Sequence, residues 1–174
     1  MVPLWVYQDD VRDAIVAAKH ASHTALADAI GRVLGDRVAQ AIEDEDISPV
    51  QAVTYVPSHL YRRWQRGGVG ARVIADAVAG KLGKKAHGLI RANRATRKQA
   101  WLTDLERIEN VRDAYSAKRG YALAKTPRIA NQHVLLVDDV LTTGATANEV
   151  AKVLRGCGAD RVTLAVVARA VRRH

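Results

Sequence analysis

A single cysteine, Cys157, sets the first limits on this sequence. One thiol forms no intrachain disulfide and no multi-cysteine zinc site, and Cys157 reads as a small buried residue near a helix end. No apolar run approaches the roughly 18 residues that a membrane span needs, so no membrane association is expected. The opening Met1-Val-Pro-Leu-Trp5 lacks both the basic and the apolar region of a secretory signal, and a cytoplasmic setting is the expectation. There is no Gly-Lys-Ser/Thr ending of a Walker A loop and no G-x-G-x-x-G, which sets aside both common nucleotide fingerprints. Repeats, low-complexity tracts and a recognisable helix-turn-helix are missing too. His20 and His23, three apart, could touch one metal ion, but no third ligand lies near them in sequence.

What is present suits one domain with a small appendage. The chain has 174 residues and is 48% hydrophobic, enough for a real core. Its net charge of +9 is unevenly spread: residues 1–50 hold 4 Lys/Arg against 9 Asp/Glu, residues 51–128 hold 17 against 5, and residues 129–174 hold 6 against 4. The basic middle third attracts phosphates, whether of a nucleotide, a pyrophosphate or a nucleic acid; the plain alternative is a solvated cationic surface.

Periodicity predicts a helix over 8–20 and a second one carrying Leu26, Ile30 and Leu34, capped by Ser22 or Thr24 and closed by Gly35. The polar break Glu43-Asp-Glu-Asp46 with Pro49 divides an N-terminal helical, hood-like subregion (1–50) from a core (51–174). In the core, Ala52–Pro57 reads as a buried strand, Val69–Leu82 as a helix ended by Gly83, and Ala86–Ile90 as a short strand. Residues 91–110 are polar with weak periodicity. Val111–Ser116 and Tyr121–Ala124 are expected to form a small antiparallel pair outside the main sheet. His133–Val137 reads as a central strand, Thr146–Leu154 as a helix broken by Gly156 and Gly158, and Val162–Val167 as the last strand. Strand, helix, strand with short links is a βαβ unit, so the fold class is α/β with a central, mainly parallel sheet flanked by helices.

The chemistry concentrates in Val134-Leu-Leu-Val-Asp-Asp-Val-Leu-Thr-Thr-Gly-Ala-Thr146. Four apolar residues lead into Asp138 and Asp139, and a Thr/Gly turn then opens a helix. Ligands of open parallel sheets bind beyond the carboxyl ends of strands, and a helix N-terminus there is a phosphate cradle. Thr142, Thr143 and Thr146 add hydroxyl donors, and Gly144 lets the backbone approach an anion. Two carboxylates would repel a bare phosphate. They suit two vicinal hydroxyls, or a divalent cation.

This segment resembles the loop of type I phosphoribosyltransferases that binds 5-phosphoribosyl-1-pyrophosphate (PRPP). The resemblance implies that fold, with Asp138 and Asp139 on the ribose hydroxyls and Thr142, Thr143, Gly144, Ala145 and Thr146 on the 5-phosphate. Tyr55-Val-Pro-Ser-His-Leu-Tyr-Arg-Arg-Trp-Gln-Arg-Gly67 is similar to the pyrophosphate loop of ComF-type competence proteins, and Arg94-Ala-Thr-Arg-Lys-Gln99 with Glu106–Asn110 to their mobile loop. The Trp5-Val-Tyr segment and the helix ending in Lys19 also resemble that family's lead into the core. The sequence departs from the family in having no N-terminal cysteine cluster and in Gly68-Val69-Gly70 where Phe-Asn-Gln is usual. Thr142 stands where enzymes of 6-oxopurines have an Asp, which argues against that substrate class.

By this resemblance the activity is displacement of pyrophosphate from PRPP by an unidentified nucleobase or amine, with Mg²⁺ as the cofactor held mainly by ligand and water near Asp138 and Asp139. Ser58, His59, Arg62, Arg63 and Arg66 would hold the pyrophosphate, with a non-proline cis peptide expected near Ser58-His59. Arg94, Arg97, Lys98 and Arg107 would close over it on a mobile loop. Trp64 and Trp101 are candidates for base stacking or ordinary packing. The alternative is a PRPP-fold protein of DNA uptake or nucleotide sensing that binds PRPP or single-stranded nucleic acid without turnover. Homodimerisation is left open.

Overall fold

The computed structural model describes residues 1–57, 70–94, 104–118 and 129–170. Its elements, in order, are β1 (Val2–Val6), α1 (Asp9–Ala18), a 3-10 turn (Ala21–His23), α2 (Thr24–Glu43), β2 (Ala52–Tyr55), α3 (Gly70–Lys81), β3 (Ile90–Ala92), α4 (Asp104–Val111), β4 (Tyr115–Ala117), β5 (His133–Leu141), α5 (Ala145–Gly156) and β6 (Arg161–Arg169).

β5 organises the sheet. Its run Val134-Leu-Leu-Val137 is apolar at every position, as a strand covered on both faces must be. It lies between β2 and β6 in a parallel sheet of order β1-β6-β5-β2, with Leu135 opposite Val53 on one side and Thr163 on the other. Side-chain alternation divides the core in two. Val53, Leu135, Val137, Ala165 and Val167 pack with residues of α1, α2 and α3. Ala52, Val134, Leu136 and Val162 pack with Val150 and Leu154 of α5 and with Leu89 and Ile90.

β1 was not among the expected elements. It is a short edge strand paired with β6, and its Pro3 lacks an N–H, which only an edge tolerates. Residues 1–50 therefore supply one strand and two helices around the same sheet.

Helix α2 runs straight through Gly35 rather than ending there, and its N-cap is His23, with neither Ser22 nor Thr24 capping. Its buried residues Ala27, Ile30, Gly31, Leu34, Gly35, Val38 and Ala41 form one continuous stripe at helical spacing. Gly31 and Gly35 let α3 approach: a Cβ at Gly31 would stand 2.7 Å from the Ala77 Cβ and from the Ile74 carbonyl oxygen. Glycine here serves close packing, not termination.

The small antiparallel pair exists, but β4 pairs with β3; residues 121–124 lie outside the described residues. Ala86 instead makes an isolated parallel bridge to Val53 of the main sheet. Within the weakly periodic stretch 91–110, residues 104–110 are helical, and the helix takes in Val111, which was expected to open a strand. Helix α5 starts one residue earlier than expected, runs through Gly156 and ends at Cys157; the turn is completed by Gly158 at a φ of 93°. Among the described residues, no helix is long and apolar enough to cross a membrane.

At the amino end of β5, His133 is buried. Its Nδ1 lies 3.2 Å from the Pro49 carbonyl oxygen and its Nε2 2.8 Å from Thr163 Oγ1. The carbonyl only accepts, so Nδ1–H donates, and Nε2 of the neutral ring accepts from the threonine hydroxyl. Burial pushes the ring's pKa below 6.5, against the opposing pull of the Pro49 carbonyl.

Two predictions follow from this packing. Gly31→Ala should destabilise the protein by about 1–3 kcal/mol through overpacking, whereas Gly80→Ala, with nothing within 4 Å of its added Cβ, should stabilise it by about 0.4–1 kcal/mol; urea unfolding of both variants checks the opposite signs. The second concerns acid. Unfolded chains take up a proton on His133 at its ordinary pKa, and the folded ring resists, so its stabilising contribution is present above about pH 6.5 and is lost as pH falls through the lower folded value. Between about pH 7.5 and pH 5, the urea midpoint of His133→Gln should fall less than that of the parent.

Candidate active site

The site begins where β2 stops. Tyr55 is opposite Val137, and the Val56 N–H closes the ladder on the Val137 carbonyl at 3.0 Å. β5 continues four residues further, still paired to β6 from Asp138 opposite Val166 to Leu141 opposite Arg169. Asp138 and Asp139 thus lie on a strand held firmly on one side and released from β2 on the other. That is the crevice at the carboxyl ends of the strands where α/β sheets bind ligands.

Both acids are partly buried and bent back onto the backbone. The Asp139 N–H donates to Asp138 Oδ1 at 2.9 Å, and the Val140 N–H to Asp139 Oδ1 at 2.7 Å. Asp139 Oδ2 pairs with the ammonium of Lys19 at 2.6 Å. Burial, and then the charge of Asp139, hold the Asp138 carboxyl well above the ordinary carboxylate range, although the Asp139 N–H and the Lys19 charge pull it down. Burial alone would lower the pKa of Lys19; the ion pair with Asp139 more than offsets this and leaves it raised. The two acids with one ammonium therefore carry less than the two negative charges that the sequence suggests.

The turn follows directly. Thr142, Thr143 and Gly144 connect β5 to α5, while Ala145 and Thr146 begin its first turn. Gly144 is the N-cap, at φ 80° and ψ 0°, a left-handed conformation that disfavours any side chain. The Asn148 N–H donates to the Gly144 carbonyl at 2.8 Å, and the Ala145 N–H makes a long contact of 3.4 Å with Thr143 Oγ1. The N–H groups of a first helical turn point outward and carry the positive end of the helix dipole, so this turn suits an anion. Acceptors and anion donors are brought together within nine residues of chain.

The other expected site residues divide. Ser58, His59, Arg62, Arg63, Trp64 and Arg66 lie outside the described residues, with the cis peptide expected at Ser58-His59, and so do Arg97, Lys98 and Trp101. The backbone of Arg107 lies in α4. Arg94 sits at the base of the 94–112 excursion, where its guanidinium donates to the Arg112 carbonyl at 2.9 Å. That base is clamped. The Asn93 N–H donates to Ala114 O at 2.8 Å, and the Asp113 N–H to Glu149 Oε1 of α5 at 3.0 Å. The segment expected to close over a ligand is rooted on the helix that opens from the Thr142–Thr146 turn.

Sequence reasoning missed the part played by Lys19, noting it only as a helix end. Its partner is 120 positions away along the chain, and no local pattern encodes that pairing. Tyr55 and Lys118 meet near Gly88, where an added Cβ would stand 2.8 Å from the phenol oxygen and from the ammonium. This brings a phenol and a cation to the end of β2.

Residues 68–173 match the phosphoribosyl transferase domain family. Competence protein F of Haemophilus influenzae is 29% identical over 142 residues, covering 81% of this chain and 60% of that protein. DNA utilization protein YhgH of Salmonella typhimurium is 28% identical over 145 residues, covering 83% of this chain and 60% of that protein. The adenine phosphoribosyltransferase of a Parafrankia species is 39% identical over 105 residues, covering 58% of this chain and 51% of that enzyme. The chain thus spans less than two thirds of the length of each of these relatives. With an acid pair and a Thr/Gly turn at the end of a central parallel strand, it belongs to the phosphoribosyl transferase domain family and has the type I phosphoribosyltransferase fold.

Proposed function

We propose that the protein binds PRPP at the carboxyl end of β5 and transfers its ribose 5-phosphate to a nitrogen acceptor with release of pyrophosphate. The observation that carries this reading is the contiguity of Asp138, Asp139 and the Thr142–Thr146 turn beyond the end of β2. A ligand with a phosphate at one end and a vicinal diol beside it uses both halves at once. The acids accept from the diol and the turn donates to the phosphate, leaving C1 and its leaving group free of both.

In the reaction, a bond forms between the acceptor nitrogen and C1 as the bond from C1 to the pyrophosphate oxygen breaks, with its electron pair leaving on pyrophosphate. Positive charge builds on the ribose ring and negative charge on the leaving group. Carboxylates beside the ribose favour the first, and Arg62, Arg63, Arg66, Arg97, Lys98 and Arg107 are the candidates for the second. Closure of the 94–107 segment would exclude water that otherwise hydrolyses PRPP.

A magnesium ion would be held here mainly by the ligand and water. Among the described residues, no cluster of three or more His, Cys, Asp or Glu exists to cage it, and Lys19 already answers part of the acid pair's charge. Asp138 and Asp139 would hold such an ion through water, and its chemistry would be charge neutralisation on the pyrophosphate oxygens. A cytoplasmic setting and a nucleobase or related amine as acceptor complete the reading.

A second reading is supported by the names of the relatives, competence protein F and DNA utilization protein YhgH, together with the 17 Lys/Arg against 5 Asp/Glu of residues 51–128. In it, the protein binds PRPP or single-stranded DNA in DNA uptake without turning PRPP over. Isothermal titration with PRPP, then with single-stranded DNA at two salt concentrations, separates it from the first.

Asp139→Asn keeps the shape but loses the charge, and hydrogen bonds to charged groups contribute about 1.5–3 kcal/mol, so PRPP should bind roughly tenfold to a hundredfold more weakly. Thr142→Ala and Thr146→Ala should weaken PRPP and ribose 5-phosphate alike. Release of pyrophosphate from PRPP and Mg²⁺ across a panel of nucleobases and amines tests turnover. No release with any acceptor, alongside tight PRPP binding, favours the second reading; loop variants that fold and bind both ligands as tightly as the parent contradict a PRPP site at this loop.

A further inference from the structure

Lys19 lies far in sequence from the PRPP-type loop, yet its ammonium is 2.6 Å from Asp139 Oδ2. It caps the C-terminus of α1, where its own N–H turns back to the Val16 carbonyl at 3.3 Å. The start of α3 presses on the same point: a Cβ at Gly70 would stand 2.8 Å from the Ala18 carbonyl oxygen and 3.2 Å from the Lys19 Cα. The backbone that delivers the ammonium is therefore fixed from two directions. The side chain remains 37% exposed.

Donor and acceptor numbers show what such a group can do. A lysine ammonium has three donors, and Asp139 engages one; among the described residues no other acceptor is bonded to it. A ribose hydroxyl both donates and accepts. Ionised Asp139 offers only acceptors, so by itself it leaves the lone pairs of a hydroxyl oxygen that donates to it unanswered. Asp139 still has acceptor positions beyond those taken by the Val140 N–H and Lys19. A hydroxyl donating to Asp139 would then place its oxygen beside the ammonium, which can donate to it without leaving the carboxylate.

We propose that Lys19 is a ribose-binding residue of this site, donating to a hydroxyl of the diol while paired with Asp139, so that the site selects ribose 5-phosphates over deoxyribose 5-phosphates. This rests on the reading that the β5–α5 loop binds a ribose 5-phosphate. It gives the N-terminal segment a share in substrate selection that the family-matched region, residues 68–173, does not contain.

The test is equilibrium binding of ribose 5-phosphate and of its 2-deoxy and 3-deoxy analogues to the full chain, as parent, Lys19→Met and Lys19→Arg. Loss of one charge-assisted hydrogen bond should weaken ribose 5-phosphate about tenfold in Lys19→Met, while the analogue lacking the contacted hydroxyl changes by less than about twofold. The preference for ribose thus collapses, and Lys19→Arg restores part of it. Equal weakening of all three ligands marks a merely structural lysine and overturns the proposal. Unchanged binding overturns it too, and tighter binding would show that Lys19 competes with the diol. Should Lys19→Met fail to fold, Lys19→Gln reads the same ratio. A parent that binds none of the three sinks the PRPP reading and this inference together; a parent that binds ribose 5-phosphate with a ratio unmoved by Lys19→Met sinks this inference alone.

Discussion

β5 outruns β2, and the site depends on that difference in length. The first half of β5 is gripped from both sides and covered on both faces, with Leu135 and Val137 in one core cluster and Val134 and Leu136 in the other. The second half has lost β2 but kept β6 as far as Leu141. Carboxylates at 134–137 would be buried without compensation. At 138 and 139 they meet a crevice on one side and a rigid strand on the other. Core packing thus sets where polar chemistry becomes affordable, and the strand's remaining partner keeps it positioned.

Charge at that point is shared between distant parts of the chain. Asp138 is desolvated next to Asp139, which favours its neutral form, while Asp139 is answered by Lys19 from the end of α1. The ammonium reaches the pair because α1 and α2 lie against the sheet beside α3, and α3 approaches α2 only where Gly31 and Gly35 give it room. On the other face, Glu149 ties α5 to Asp113 at the base of the excursion expected to close over the ligand. The Thr142–Thr146 turn and the root of that excursion share one helix.

Much of this was legible in the sequence where the signal is local. The apolar run ending in two acids and a Thr/Gly turn identified the central strand, its carboxyl end and the following helix. What escaped depends on packing between distant segments. β1 is five residues with a proline, too short and too irregular to read as a strand, and it exists because β6 offers it an edge. Gly35 looked like a helix end because glycine usually is one; the stripe that continues through Val38 and Ala41 is the evidence of a longer helix, and α3 is the reason for the glycine. β4 found its partner in β3, on the near side of the basic excursion. Lys19 resembled any other helix-terminal cation, because nothing within the first fifty residues points to Asp139.

The structure of the complex with ribose 5-phosphate tests the central claim most directly. The account predicts the phosphate within about 2.7–3.1 Å of backbone N–H groups in the Thr142–Thr146 turn, with the ribose hydroxyls on Asp138 and Asp139. A phosphate bound elsewhere, or a diol turned away from both acids, would contradict it.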